Sequence, residues 1–181
     1  MKCLLQDMDV LNKRVIVRCD FNVPLKEGKI LDDTKIKASL ETINYLIEKN
    51  CKIILLSHMG KVKTLEDKKK YSLKVVAERL NELVSSNVIF SPETRSSFLE
   101  IKAMELQPKE MLLVENTRFE DIDNGFESND DMQLASYFAS LGDIFVLDAF
   151  ASAHRKHAST YGITKFIPSC LGFLVQKEME M

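Results

Sequence analysis

Arg18, Asp20 and Asn22 stand on alternate residues at the end of the apolar run Val15-Ile16-Val17, and Pro24 cuts the stretch off. Alternate residues of an extended segment share a side, and proline, which lacks a backbone N–H, stops the extension. A cation, a carboxylate and an amide delivered at the end of a buried strand look like one wall of a binding crevice. Three more apolar runs end in polar groups. Residues 52–57 lead into His58 and Lys61, residues 111–114 into Asn116 and Arg118, and residues 144–147 into Asp148, His154, Arg155 and His157. All three histidines of the chain and three of its six arginines lie in these segments. A guanidinium fork matches phosphate or carboxylate oxygens, and His and Asn fix hydroxyls and orientation. If these ends meet, the chemistry is recognition of a small phosphorylated anion.

The elements that must bring them together follow from periodicity. Continuous apolar runs at 14–18, 52–57, 88–90, 111–114 and 144–147 predict five strands, each covered on both faces. Between them, apolar residues at helical spacing predict helices from Thr34 to about Lys49, from Ser72 through Leu83, from the Ser91-Pro92-Glu93 segment to about Leu106, and from about Asp130 to Leu141. A further helix begins near Gly172. Residues 61–70 and 120–131 read as charged, solvated loops. Strands alternating with helices predict an α/β fold: an open, mainly parallel sheet of five to six strands with helices on both faces, a Rossmann-like three-layer sandwich. Ligands of such sheets bind outside the carboxyl ends of the strands, where these polar groups stand.

Composition narrows the class. The 181 residues suffice for one well-buried domain, and no boundary is evident before about residue 170. A net charge of −2 suggests neither nucleic acid nor a membrane surface as partner. The amino terminus is too short and polar for a signal peptide, and no apolar run is long enough to span a bilayer, so a cytoplasmic location is expected. The four cysteines are scattered without a C-x-x-C pair, and Cys19 and Cys51 read as small core residues.

Each feature also has a plainer reading. Asp20 and Asn22 are equally readable as turn residues. His154 and His157 have H-x-x-H spacing, but without a third clear ligand or a Glu base no metal site is expected. No phosphate loop, dinucleotide fingerprint or nucleophile elbow is present, so no nucleotide site is recognisable in this chain.

Several segments, in order, resemble phosphoglycerate kinases. Arg18-Cys19-Asp20-Phe21-Asn22-Val23-Pro24 resembles the family's R-x-D-F-N-V-P, and Ser57-His58-Met59-Gly60 its S-H-L-G. Glu115 to Phe119 resembles E-N-x-R-F, and Asp148-Ala149-Phe150 with Ala153-His154-Arg155 resembles N-D-A-F-x-x-A-H-R. Gly172-Phe173-Leu174 with Lys177-Glu178 is similar to the G-F-L-x-x-K-E that leads into the interdomain helix.

The resemblance implies reversible phosphoryl transfer between ATP and 3-phosphoglycerate, giving 1,3-bisphosphoglycerate, in glycolysis. It implies a monomer of two α/β domains, the first holding the phosphoglycerate and the second holding Mg-ATP/ADP. Residues 1–171 would be the substrate domain and residues 172–181 the start of the interdomain helix, with the nucleotide domain absent, so the chain alone would lack turnover. Asp20 and Asn22 would contact the glycerate. His58, Arg118 and Arg155 would help form the basic patch for its phosphate. Lys35 stands where the family has the arginine that orients the attacking carboxylate, and Lys61 stands for a second arginine. Leu147 and Ala151 replace the family's asparagine and usual glycine. Arginine and lysine differ at a bidentate site, so a non-catalytic anion-binding or regulatory module derived from the kinase fold is the alternative.

Overall fold

The computed structural model describes residues 3–180. In chain order, β1 (Arg14–Arg18) leads to a small hairpin of β2 (Leu25–Lys26) and β3 (Lys29–Ile30), then α1 (Thr34–Ala38), α2 (Leu40–Glu48) and β4 (Lys52–Leu56). α3 (Glu66–Lys70), α4 (Lys74–Leu83), β5 (Val88–Ser91), α5 (Ser97–Glu105) and β6 (Met111–Val114) follow. α6 (Met132–Ala139), β7 (Ile144–Leu147), β8 (Ser169–Leu171) and α7 (Phe173–Met179) complete the chain.

Six strands form one sheet in the order β5-β6-β4-β1-β7-β8, and every pairing in it is parallel. β1 is central, with β4 on one side and β7 on the other. From β1 the chain adds β4, goes on to β5 at the edge, returns to insert β6 between β5 and β4, and then crosses to the opposite side of β1 for β7 and β8. The switch point therefore lies at β1, which is where an open α/β sheet leaves a crevice beyond its carboxyl ends.

Successive strand residues serve opposite layers, as the two-residue period requires. Val15, Val17, Ile53, Leu55 and Val146 pack with Ile43 and Leu46 of α2 and with Val76 and Leu80 of α4. Ile16, Ile54, Leu112 and Phe145 pack against Leu99 of α5 and Leu134 and Phe138 of α6. Cys19, Cys51 and Cys170 are free and buried, and burial pushes the Cys51 and Cys170 thiols up to about 12. No helix of the described residues is long and apolar enough to cross a membrane.

Four local expectations are corrected. The helix expected through 34–49 is two helices, broken at Ser39, whose hydroxyl donates back to the Ile36 carbonyl at 2.6 Å and competes with the helical ladder. Residues 61–70 are not all loop: the Asp67 carboxylate accepts from the Lys63 and Thr64 N–H groups and starts α3. The third long helix starts at Ser97, not at 91–93, because the Ser96 hydroxyl caps it by accepting from Leu99 N, while Ser91 closes β5. Finally, the acidic segment 120–131 is not uniformly solvated, since Glu127 is completely buried. β8, which had no predicted counterpart among the five runs, supplies the sixth strand.

Candidate functional site

The loops at the carboxyl ends of β1, β4, β6 and β7 converge on a cleft of about 280 Å³. Asp20, Asn22, Lys35, His58, Lys61, Arg118 and Arg155 all line it, together with Gly60, Ala151 and Ser152. Four cations thus face one carboxylate, a strong bias toward an anionic guest.

The β1 loop is placed by hydrogen bonds to its neighbours. Phe21 N donates to the Ser57 hydroxyl at 2.9 Å, and that hydroxyl donates to the His58 carbonyl. Asp20 Oδ1 accepts from Asn22 N at 3.1 Å, while Oδ2 stands 3.4 Å from the Lys35 ammonium. Asn22 Oδ1 accepts from Gly60 N at 2.9 Å. Both residues therefore make turn contacts and also line the cleft. Lys35 sits in the first turn of α1, half exposed, with Asp20 as its partner.

Gly60 has a left-handed φ of 68°, and a Cβ there would lie 2.4 Å from the Tyr71 ring, so the turn after His58 requires glycine. His58 is mostly enclosed. Burial first, then the neighbouring Arg18 and Arg118, hold its pKa down to about 2, so its ring is neutral. Asn116 is wholly buried and joins three loops: its amide N–H groups donate to the Met59 and Tyr71 carbonyls, and its Oδ1 accepts from Arg118 N. Arg118 thereby starts from a fixed backbone, yet its Nε is buried without a hydrogen-bond partner among the described residues. Arg155 is exposed and makes no side-chain ion pair among them.

The two spaced histidines part company. His154 is exposed, edge-on to Phe150, whereas His157 is buried, with burial lowering its pKa. Leu147 is a buried strand residue packed in the second core layer, and Ala151 lines the cleft. Sequence reasoning placed neither Gly60 and Ser152, which line the cleft, nor Glu127 and Ser159, which are fully buried and do not line it. Only Gly60, inside a quoted motif, carried a local signal.

A larger cavity of about 550 Å³ lies beyond Arg118, beside Lys68, Arg95 and Glu120. Its arginine is already neutralised: Arg95 grips both Glu120 oxygens, at 2.6 and 3.0 Å. Glu115 in its wall is satisfied by Ser72, Leu73 N and Asn116 N. Volume alone does not make it a site: its guanidinium and its Glu115 carboxylate are already occupied by protein groups.

The fold and the cleft define a doubly wound α/β domain with a cationic cleft at its switch point. Comparison with known proteins narrows that class. The family described as "Phosphoglycerate kinase" matches residues 5–181, and the chain belongs to this family. It is 53% identical over 183 residues to the phosphoglycerate kinase of Fusobacterium nucleatum and 54% identical over 179 residues to that of Listeria innocua. These alignments cover 99% of this chain but 46% and 45% of the relatives, so the chain spans about half their length. The solved phosphoglycerate kinase of Coxiella burnetii superposes with a TM-score of 0.83 at 37% identity, over 97% of this chain and 42% of that one. That of Pyrococcus horikoshii OT3 gives 0.85 at 33% identity, over 98% and 44%.

Proposed function

We propose that residues 1–171 form the 3-phosphoglycerate-binding domain of a phosphoglycerate kinase, and that residues 172–181 begin the helix leading to a second domain. The observation that carries this is the gathering of Lys35, His58, Lys61, Arg118 and Arg155 opposite Asp20 and Asn22 in one cleft at the switch point. In this reading Arg118 and Arg155 clamp the substrate phosphate, with His58 and Lys61 beside them. Asp20 accepts from the substrate hydroxyl, and Asn22, whose Oδ1 is committed to Gly60, offers its amide N–H to the glycerate. Lys35 leaves Asp20 to hold the substrate carboxylate in line and to offset charge on the transferring phosphoryl group.

Mg-ATP, held by the second domain, supplies the phosphoryl group, and the reaction is reversible with 1,3-bisphosphoglycerate and ADP as products. This chain's part is to bind, orient and neutralise, which is most of what protein residues contribute to phosphoryl transfer. Alone it binds 3-phosphoglycerate and does not turn over ATP. The whole protein works as a cytoplasmic, glycolytic monomer in which its two domains are each other's partners.

Calorimetric titration with 3-phosphoglycerate tests the reading. Binding by the chain that is lost in Arg118→Ala supports it, and absence of binding by the unaltered chain overturns it. The half-exposed Lys35, free to exchange Asp20 for solvent, keeps one rival reading in view, a non-catalytic anion-binding module. In a protein carrying both domains, Lys35→Arg decides between them. Activity that rises with arginine identifies an enzyme, and no activity in either form identifies the module.

A further inference from the structure

Behind the cleft lies a buried polar chain whose far end is not explained by anion binding. Arg18, the last residue of β1, is fully buried and spends its donors in three directions. Its Nε donates to the Ser159 hydroxyl at 2.9 Å, one terminal nitrogen donates to the Cys19 carbonyl, and the other lies 2.9 Å from Nδ1 of His58. Ser159 is itself clamped to a buried carboxylate: its N–H donates to Glu127 Oε1 at 2.9 Å and its hydroxyl donates to Oε2. The Ala158 N–H also donates to the Glu127 carbonyl. None of these groups touches the cleft except His58.

We propose that Arg18, fixed by Ser159 and Glu127, is the positioning residue that holds His58 as its neutral Nε2–H tautomer, so that the cleft is offered an N–H donor. The proposal rests on reading the cleft as an anion site. The chemistry follows from what each group can do. A guanidinium has five N–H donors and no acceptor, so the nitrogen of His58 that meets Arg18 must accept. A neutral imidazole that accepts at Nδ1 carries its proton on Nε2. Nε2 makes no hydrogen bond to the described residues and is not among their sealed, unpartnered atoms, so it is open on the cleft side. The opposite tautomer would point a lone pair at an anionic oxygen, and an imidazolium is disfavoured first by burial and then by Arg18 and Arg118 beside the ring. The Glu127 carboxylate offsets the cost of burying Arg18 and fixes Ser159, whose hydroxyl accepts from Arg18 Nε.

The test is read first without any ligand. Long-range proton–nitrogen NMR of the wild-type chain from pH 5 to 8 is expected to show His58 with a protonated Nε2, an unprotonated Nδ1 and no titration. A protonated Nδ1, or an imidazolium in that range, overturns the proposal without any variant being made. Arg18→Met is expected to give mixed tautomers and to weaken 3-phosphoglycerate binding about tenfold. Ser159→Ala, a smaller change that frees Arg18 Nε, is expected to move both readouts in the same direction. His58→Gln supplies an amide donor that needs no tautomer control, so adding Arg18→Met to it is expected to cost no further affinity. Additive losses, or an unchanged tautomer in Arg18→Met, overturn the positioning role. A locked Nε2–H in a chain that does not bind 3-phosphoglycerate overturns the reading of the cleft and supports the lock.

Discussion

The two walls of the cleft are built in opposite ways. On the β1–β4 side most polar groups, Lys61 apart, are committed to another protein group. Asp20 and Asn22 brace turns, Ser57 joins the two loops, and Arg18 is held by Ser159, Cys19 and His58. On the β6–β7 side Asn116 fixes the backbone at Arg118, but the guanidinium groups are left over: Arg118 Nε is buried without a partner among the described residues, and Arg155 is exposed. One wall is preorganised by hydrogen bonds made within the fold. The other holds charge in reserve. A site for an anion needs both, since geometry without free donors binds weakly and free donors without geometry bind unselectively.

The largest expected effect is on the braced wall. Glu127→Ala removes the carboxylate behind Arg18 and leaves a buried cation uncompensated, so stability should fall by about 3–5 kcal/mol in urea unfolding. Arg118→Ala on the open wall should change stability by less than about 0.5 kcal/mol. If the two variants lose equal stability, the contrast between the walls is wrong.

Next in size is a pH effect at the root of α7. Asp148 is fully buried, its Oδ1 accepts from Leu174 N, and its Oδ2 has no hydrogen-bond partner among the described residues. Burial pushes its pKa up from 3.8 to about 7. A carboxyl with a raised folded pKa favours folding most below the unfolded pKa. Its contribution is therefore present below about pH 4, falls as pH rises through the window up to about 7, and is flat beyond. Three pK units correspond to roughly 2–4 kcal/mol after relaxation. Asp148→Asn should lose this slope, gaining stability relative to the wild type between pH 4.5 and pH 8. Parallel pH–stability curves for the two proteins would contradict it.

The third effect is on binding. Loss of one charge-assisted contact costs about 1.5–3 kcal/mol, so Arg118→Ala should weaken 3-phosphoglycerate binding roughly 10- to 150-fold. Smallest is the Lys35–Asp20 pair. It is half exposed, so Lys35→Ala should change thermal stability by less than about 1 kcal/mol while still impairing turnover in a two-domain protein. A larger stability loss would mean that Lys35 braces the β1 wall instead of serving the cleft.

Much of the fold was legible because it rests on local pattern. β1, β4, β6 and β7 follow their apolar runs closely, and α6 starts at a capping Asp131 and ends just before Gly142. The misread elements were decided by side-chain competition for backbone groups, at Ser39, Asp67 and Ser96, which periodicity does not register. β8 is three residues long and exists because β7 offers it an edge.

The sequence by itself determined which chemical groups end each strand, and a parallel sheet leaves those ends little choice but to meet. Residue type and spacing put Asp20, Asn22, His58, Arg118 and Arg155 within a few residues of a strand's carboxyl end, and all five line the cleft. Only the tertiary structure decided what each group has left to give. It took Asn22 Oδ1 and His58 Nδ1 out of use, left Arg118 Nε without a partner among the described residues, and placed Glu127 and Ser159, 109 and 141 residues from Arg18, behind the site. The reason is physical: hydrogen-bonding capacity is consumed by neighbours in space, and those neighbours lie far apart along the chain.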